Sequence, residues 1–575
     1  MHLVTTSIID TWPQDEKTEI LFLGEWCRLY SRKNEWVKRN HSVLKYHWDN
    51  REKLKRDFKY LNELYEYIIP IISKKMNVIH NVNYSNRYWR VLIGPWLSNF
   101  IQIIFDRWFM LQSLDNVNSV STIKQNRSDQ VPNDMAEFNM LFIEDEWNEF
   151  IYSLIIQKEK LVPKIIKVRK NFNKAKEEND NKKLKNIING ILNIYNKIFT
   201  LRNKYFFLNS YFPRWALFLV NLKLKQLPSF SINNPVPRID FDLSFRNWKI
   251  LEDSEDKFLN ILNYLIPLQI PKIYLEGFSR MKSVIKKSNW PKSPKVIFTA
   301  NSYSEDDFFK VWAASKIEKS SKLIIAQHGG HFGMTPMESH AEHQYIISDK
   351  WISWGWHKKD IPKIKAIGNI KIIRKKKYIS KPSGYGLIIG MEYPRFSYYL
   401  YSVPISSQYL SHLKNQFLFL DELPQKIFRE ILFKPYPTNY KWFTNKRFLD
   451  IFPNLNIDKS GKSLRRLLKD ARICIVTYNG TTFLESFAWD FPTIIFFDSL
   501  FYELNNEAKA SFEILKRVNI FHSTPESAAL HLVKIWDDVM DWWNEPLTQF
   551  AVEEFSKTWN SLDSELIKNL VKEIR

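Results

Sequence analysis

The chain has 575 residues, too many for one hydrophobic core, so two or three domains are expected. Apolar residues make up 45% and charged residues 25%, the ordinary mix of a soluble globular protein. Only two cysteines are present, Cys27 and Cys474, which excludes a disulfide framework or a cysteine-rich zinc site and fits a reducing cytoplasm.

The formal net charge of +22 fits nucleic acid, an anionic membrane surface or phosphorylated substrates as partners. No nucleic-acid-binding motif accompanies it, which argues against the first. Part of the excess lies in a Lys/Asn/Ile-rich stretch, residues 158–204, which reads as helix with a solvated lysine face. Aromatics reach 15%, with 21 Trp; core packing is the first reading and sugar stacking the second. The opening MHLVTTSIIDTW lacks the pattern of a signal peptide. No apolar run approaches the ~18 residues that span a bilayer, so any contact with an anionic membrane is expected to be peripheral, at its cytoplasmic face.

In chain order, residues 18–24 (TEILFLG) read as a buried strand followed at once by Glu25, and residues 42–46 as an extended piece ahead of His47, Trp48 and Asp49. Apolar spacing predicts helices over 51–76 and 87–111, with a kink or restart at Gly94–Pro95. Residues 112–134 read as a polar loop, and about 107–228 as a large helical insertion. Strand–helix alternation then returns: strands at 294–300, 322–327, 344–348, 351–354 and 365–368, with a helix over 304–320. A basic turn at 374–377 (RKKK) and residues 381–384 mark a linker. Further strands are predicted at 386–390, 431–434, 473–477 and 492–497, with helices over 406–420, 463–469, 482–489 and 502–517. The expected fold is therefore α/β, with two Rossmann-like domains facing a cleft. The expected domains are residues 1–372, residues 373–540, and C-terminal helices 541–575 that pack back on the first.

Three blocks carry chemistry. In IIAQHGGHFG (324–333) a buried strand ends at Gln327–His328 and turns through Gly329 and Gly330, followed by His331. The glycines let backbone approach a ligand, and His328 at a strand end suits a general base. His340 and His343 have the i, i+3 spacing of metal ligands, but the reading assigns no metal and no other cofactor. In TYNGTTFLESFAWDFPTIIFFD (477–498) a strand leads through Asn479, Gly480, Thr481 and Thr482 into a helix, a ready anion site. Glu485, one turn on, is placed either as a ribose contact or as the Glu of a capping box begun by Thr482. In FKPYPTNYKW (433–442), Lys434 follows a strand and suits a phosphate contact. Glu25, which directly follows a strand, competes with His328 as base, and Asp49, Arg87 and Arg90 are candidate acceptor-side contacts. No P-loop or complete dinucleotide fingerprint is present, which argues against ATPases and dehydrogenases.

The segments LFLGEWC, YHWDNR, SNRYWRVLIGPWL, AQHGGHFG, SDKWISWGW, KPYPTNYKW and TYNGTTFLESFAWDFPTI resemble a bacterial family of transferases tied to surface-carbohydrate biosynthesis. More distantly, the second half is similar to capsule and lipopolysaccharide sugar transferases of the two-Rossmann-domain (GT-B) type, including those that use CMP-linked Kdo. The His-Gly block is similar to that of CDP-glycerol glycerophosphotransferases. The resemblance implies a GT-B fold and transfer from a nucleotide-activated sugar to a glycan or lipid-linked glycan acceptor. It maps a base onto His328, phosphate contacts onto Lys434, Thr481 and Thr482, and a ribose contact onto Glu485. Two departures stand out. Lys434-Pro435 replaces the relatives' His-Pro, and Trp489-Asp490-Phe491 stands where many have a glycine before the proline. The alternatives are a CDP-alditol phosphopolyol transferase, a non-catalytic glycan-binding subunit and a nucleotide-sugar 2-epimerase.

Overall fold

The computed structural model describes residues 1–168, 182–230, 234–252, 254–374 and 377–575. Three wholly parallel sheets organise it. The first has the order β3-β2-β1-β4-β5, from β1 (His2–Val4), β2 (Ile20–Phe22), β3 (His41–Val43), β4 (Ser119–Ile123) and β5 (Lys164–Val168). The second runs β10-β9-β8-β7-β6, from β6 (Tyr205–Leu208), β7 (Val296–Thr299), β8 (Lys322–Ala326), β9 (Lys350–Ser353) and β10 (Ile364–Ala366). The third has the order β13-β12-β11-β14-β15-β16. Its strands are β11 (Tyr385–Ile389), β12 (Ile431–Lys434), β13 (Asn456–Ile457), β14 (Ala471–Val476), β15 (Thr493–Phe496) and β16 (Phe521–His522). Helices connect the strands, as parallel pairing requires. The central strands read as short continuous apolar runs because both of their faces are covered.

The expected apposition of two parallel sheets is present, formed by the second and third. The first sheet precedes them, and three of the strands, β4, β5 and β6, fall within the 107–228 stretch expected to be a helical insertion. SVSTI and KIIKV alternate with polar residues and carry little apolar signal of their own; pairing with a neighbour makes them strands. Residues 169–181, the centre of the Lys-rich stretch, and Lys375 and Lys376 of the basic turn lie outside the described residues.

Two further expectations are corrected. Residues 344–347 belong to the helix Ser339–Ile347, and Ser348 caps it, so no strand forms there. No restart occurs at Gly94–Pro95, because one helix runs Asn86–Gln112. A Cβ on Gly94 would lie 2.5 Å from the His343 ring and 2.7 Å from the Tyr65 hydroxyl, so this glycine serves close packing.

Trp26, Trp89, Trp312 and Trp543 are among the fully buried side chains, so much of the aromatic excess is core. Both cysteines are buried, and burial pushes the Cys474 thiol up to about 12. The first sheet is tied to the third by buried ion pairs. Arg51 holds both oxygens of Glu503 at 2.8 and 2.6 Å, and Arg395 pairs with Asp145. The C-terminal helix Leu566–Ile574 returns to the second sheet. There Leu566, Leu570 and Ile574 pack with Phe207, Phe298 and Ile324, and Lys350 pairs with Glu573 at 2.9 Å.

Candidate functional site

β8 delivers the loop 327–333 at its carboxyl end, and Gln327 fixes that loop from beneath. Its Nε2 donates to the Gly329 carbonyl at 2.7 Å, and its Oε1 accepts from Trp354 N and Trp356 Nε1, both at 2.9 Å. Gln327 is fully buried with its amide committed, so it shapes the loop.

His328 lies half-buried above this base, between the rings of Tyr211 and Phe332, with Nδ1 lacking a hydrogen-bond partner. Burial lowers its pKa to about 4; the Ala300 carbonyl opposes that shift and the Lys371 charge adds to it. The imidazole is therefore neutral at physiological pH. His331 stacks on Phe332 at 4.6 Å, and burial takes it down to about 3.

β14 delivers the facing loop. Thr477 Oγ1 donates to the Ile389 carbonyl at 3.1 Å, bridging the ends of β14 and β11 where the strand order of the third sheet reverses. Ligands of open α/β sheets collect at such a reversal. Asn479 is 5% exposed, yet neither atom of its side-chain amide has a partner. The helix Thr481–Ala488 starts from Gly480 with no side-chain cap. The capping-box alternative for Thr482 and Glu485 is thereby excluded: Thr482 meets the Tyr478 hydroxyl, and Glu485 pairs with Lys371 at 2.6 Å.

The two loops touch. Gly330 N donates to Thr481 Oγ1 at 3.0 Å, and a Cβ on Gly330 would lie 2.7 Å from the Gly480 carbonyl oxygen. A cavity of about 800 Å³ reaches His328, two residues before Gly330, and its lining includes none of Asn479, Gly480, Thr481, Thr482 and Glu485. It is lined by Asn209, Asn301 and His328, the first or second residues after β6, β7 and β8. The third-sheet side contributes Tyr398, Tyr399, Thr438 and Tyr440. Asn209 and Tyr211 hold φ of +45° and +60°, sparsely populated for a tyrosine, and Tyr211 accepts from Asn301 Nδ2 at 3.1 Å.

Residues 1–574 match the profile of the LIC12162 family transferase. The chain belongs to this family. Among solved structures the transferase is similar to WaaG, a glycosyltransferase involved in lipopolysaccharide biosynthesis, at 10% identity over 64% of this chain and 99% of that one. The TM-score is 0.28, at which the likeness establishes neither a shared fold nor a shared activity. No functionally curated protein matches the sequence.

Several residues singled out from the sequence lie away from the transferase's cavity. Glu25 is paired with Arg28 at the end of β2. Lys434 is held by Asp458 at 3.4 Å and the Lys462 carbonyl at 2.9 Å, so the expected phosphate contact does not line the cavity. Asp49 accepts from Gln408, Arg87 binds Asp349 at 2.7 Å, and Arg90 holds Glu66 in a fork at 2.7 and 2.6 Å; all three brace the packing. His340, by contrast, lines the cavity and meets Asn99 there at 2.6 Å, while His343 meets Tyr65 at 3.2 Å. Among the described residues no group of three or more His, Cys, Asp or Glu is arranged to hold a metal. No helix of the described residues is long and apolar enough to cross a membrane.

Other residues were missed. Lys371 reaches from the end of the second sheet to Glu485 of the third. Glu338 is 9% exposed with Oε1 unpartnered, and burial pushes it up to about 8. Asn209 and Asn301 had a readable signal: FFLN, IFTAN and IIAQH each end an apolar run on a polar residue.

Proposed function

We propose that the protein is a glycosyltransferase that moves a sugar from a nucleotide-activated donor, CMP-linked sugars among the candidates, onto a cell-surface polysaccharide or lipopolysaccharide acceptor. The observation that carries this reading is the contact of Gly330 with Thr481 and Gly480, which joins the His328 loop and the helix-start loop into one site. In this reading the donor phosphates lie at the start of the helix Thr481–Ala488, near Lys371, where backbone N–H groups and a cation meet negative charge. Asn479, with an unpartnered buried amide, reads the nucleotide or donor sugar. Asparagines and tyrosines of the cavity suit a glycan, through hydroxyl hydrogen bonds and ring stacking.

His328 is the proposed base. A pKa near 4 makes it neutral but a weak base. The negative charge that builds on the leaving phosphate would raise that pKa during the reaction. The test is a donor panel of CMP-, CDP-, UDP-, GDP- and dTDP-sugars, read by thermal shift and turnover, on the native chain and on His328→Ala. The right nucleotide stabilises both proteins. His328→Ala loses about 10²–10⁴-fold in kcat with the nucleotide shift retained. Near-normal turnover of that variant overturns the base assignment. Transfer of an alditol phosphate in place of a sugar overturns the glycosyl reading.

A further inference from the structure

We infer that the segment around the helix Arg214–Lys223 docks on an anionic lipid surface and sets the cavity mouth against it. This helix is apolar on two sides. Ala216 and Val220 are buried, and Val220 and the following Leu224 share a cluster with Leu566 and Leu570 of the C-terminal helix. The opposite side carries Trp215, Phe218, Leu219 and Leu222, which are 41%, 47%, 38% and 46% exposed. Their spacing is that of one helical stripe, and a helix apolar all round calls for a second partner. The stripe is prolonged by exposed Leu227 and Phe230, and Phe230 packs on Tyr195 at 5.0 Å beside exposed Ile198 and Phe199.

Charge names the partner. From Gly190 to Phe230 the sequence holds Lys197, Arg202, Lys204, Arg214, Lys223 and Lys225 and no Asp or Glu. All six are exposed, and Arg374 lies over the Trp215 ring at 4.7 Å. Tryptophan, phenylalanine and leucine ringed by lysine and arginine is the composition that seats a helix at the boundary between headgroups and acyl chains. A protein partner would need acidic groups to match; a bilayer containing acidic phospholipid supplies them as a continuous surface. Position adds the consequence for the site. Arg214 follows by three residues Tyr211, whose ring lies 6.5 Å from that of His328, and Asn209 lines the cavity itself. A glycan carried on a lipid would reach the cavity without leaving the membrane.

The docking does not depend on the reaction assigned to the cavity, so its test reads binding and not turnover. The full chain is sedimented with vesicles of phosphatidylcholine alone and of phosphatidylcholine mixed with phosphatidylglycerol. Binding to the mixed vesicles is expected to be about tenfold or more the stronger. The double variants Trp215→Ser/Phe218→Ser and Lys223→Glu/Lys225→Glu are each expected to lose about tenfold or more of it. Circular dichroism and melting unchanged from the native chain show that both remain folded, and the Lys variants alter only exposed side chains. Failure of the native chain to bind mixed vesicles overturns the inference, as does native-like binding by either folded variant. A solution dimer that Trp215→Ser/Phe218→Ser converts to monomer would assign the stripe to a second copy instead.

Discussion

Gly330→Ala tests the contact on which the shared site rests. The added Cβ would sit 2.7 Å from the Gly480 carbonyl oxygen and 2.8 Å from both the Gly480 carbonyl carbon and Leu484 Cδ1. Two of these atoms are backbone at the start of a helix, so no side-chain rotation relieves the clash, and the loops must part. Overpacking of this kind costs about 1–3 kcal/mol. Parting the loops also loses the 3.0 Å bond from Gly330 N to Thr481 Oγ1, worth about 1 kcal/mol. The expected destabilisation is therefore about 2–4 kcal/mol, read as a lowered melting temperature. A displacement near 1 Å between groups that must act together can cost about 100-fold in rate, so turnover should fall further than stability explains. Gly190→Ala is the control: nothing lies within 4 Å of its added Cβ, and alanine in that helix is neutral or stabilising by up to about 1 kcal/mol. A Gly330→Ala protein with native melting and native turnover would show that the loops do not meet in solution and would refute the single site.

Glu338→Gln should change the pH dependence of stability. The folded carboxyl, raised to about 8, keeps its proton where the unfolded one has lost it, so native stability declines from about pH 4.5 to pH 8. At about 1.4 kcal/mol per pH unit that decline approaches 4–5 kcal/mol; melts from pH 5 to 9 in which the variant tracks the native chain would refute it. Arg395→Ala leaves Asp145 buried without its cation and is expected to cost about 3–5 kcal/mol in denaturant unfolding; a loss within about 0.5 kcal/mol, ordinary for surface positions, would contradict that pairing. Glu25→Gln is expected to leave kcat unchanged, since Glu25 pairs with Arg28 away from the cavity, and a dead variant would return the base role to it. The acid limb of kcat/KM is expected near pH 4, the value burial imposes on His328, and a limb near 6.5 would show the histidine solvated.

The two loops that meet were legible because each follows a long buried run and turns on glycine: KLIIA into QHGG, and ARICIV into TYNG. The partners they meet were not. Lys371 and Glu485 lie 114 positions apart and pair only because the chain crosses between sheets there. Lys434 read as a phosphate ligand because it follows a strand; the next strand of the same sheet supplies Asp458 just beyond its end, and that is invisible until the strand order is known. In the first sheet β2 was legible as TEILFLG and β3 in part, but β1, β4 and β5 escaped notice for a related reason. β1 has three residues, and β4 and β5 are half polar, so their identity resides in the pairing and not in local pattern.

The return of the C-terminal segment has a mechanical consequence. The chain passes between the second and third sheets twice, near residues 369 and 560, and the two passages are laced together. Asn369 Nδ2 donates to Asn560 Oδ1 at 2.7 Å, and Asn369 N donates to the Ser561 carbonyl at 2.8 Å. Two strands of chain fastened side by side allow rotation about one line and resist sliding. Gly355 and Gly368, at φ of +133° and +120°, let the returning segment lie so close that a Cβ on either would meet its backbone oxygens at 2.8 and 2.7 Å. The same seam anchors the helix-start loop: Asn560 Nδ2 donates to the Leu484 carbonyl at 2.7 Å, so the Lys371–Glu485 bridge sits directly against the fastened passages.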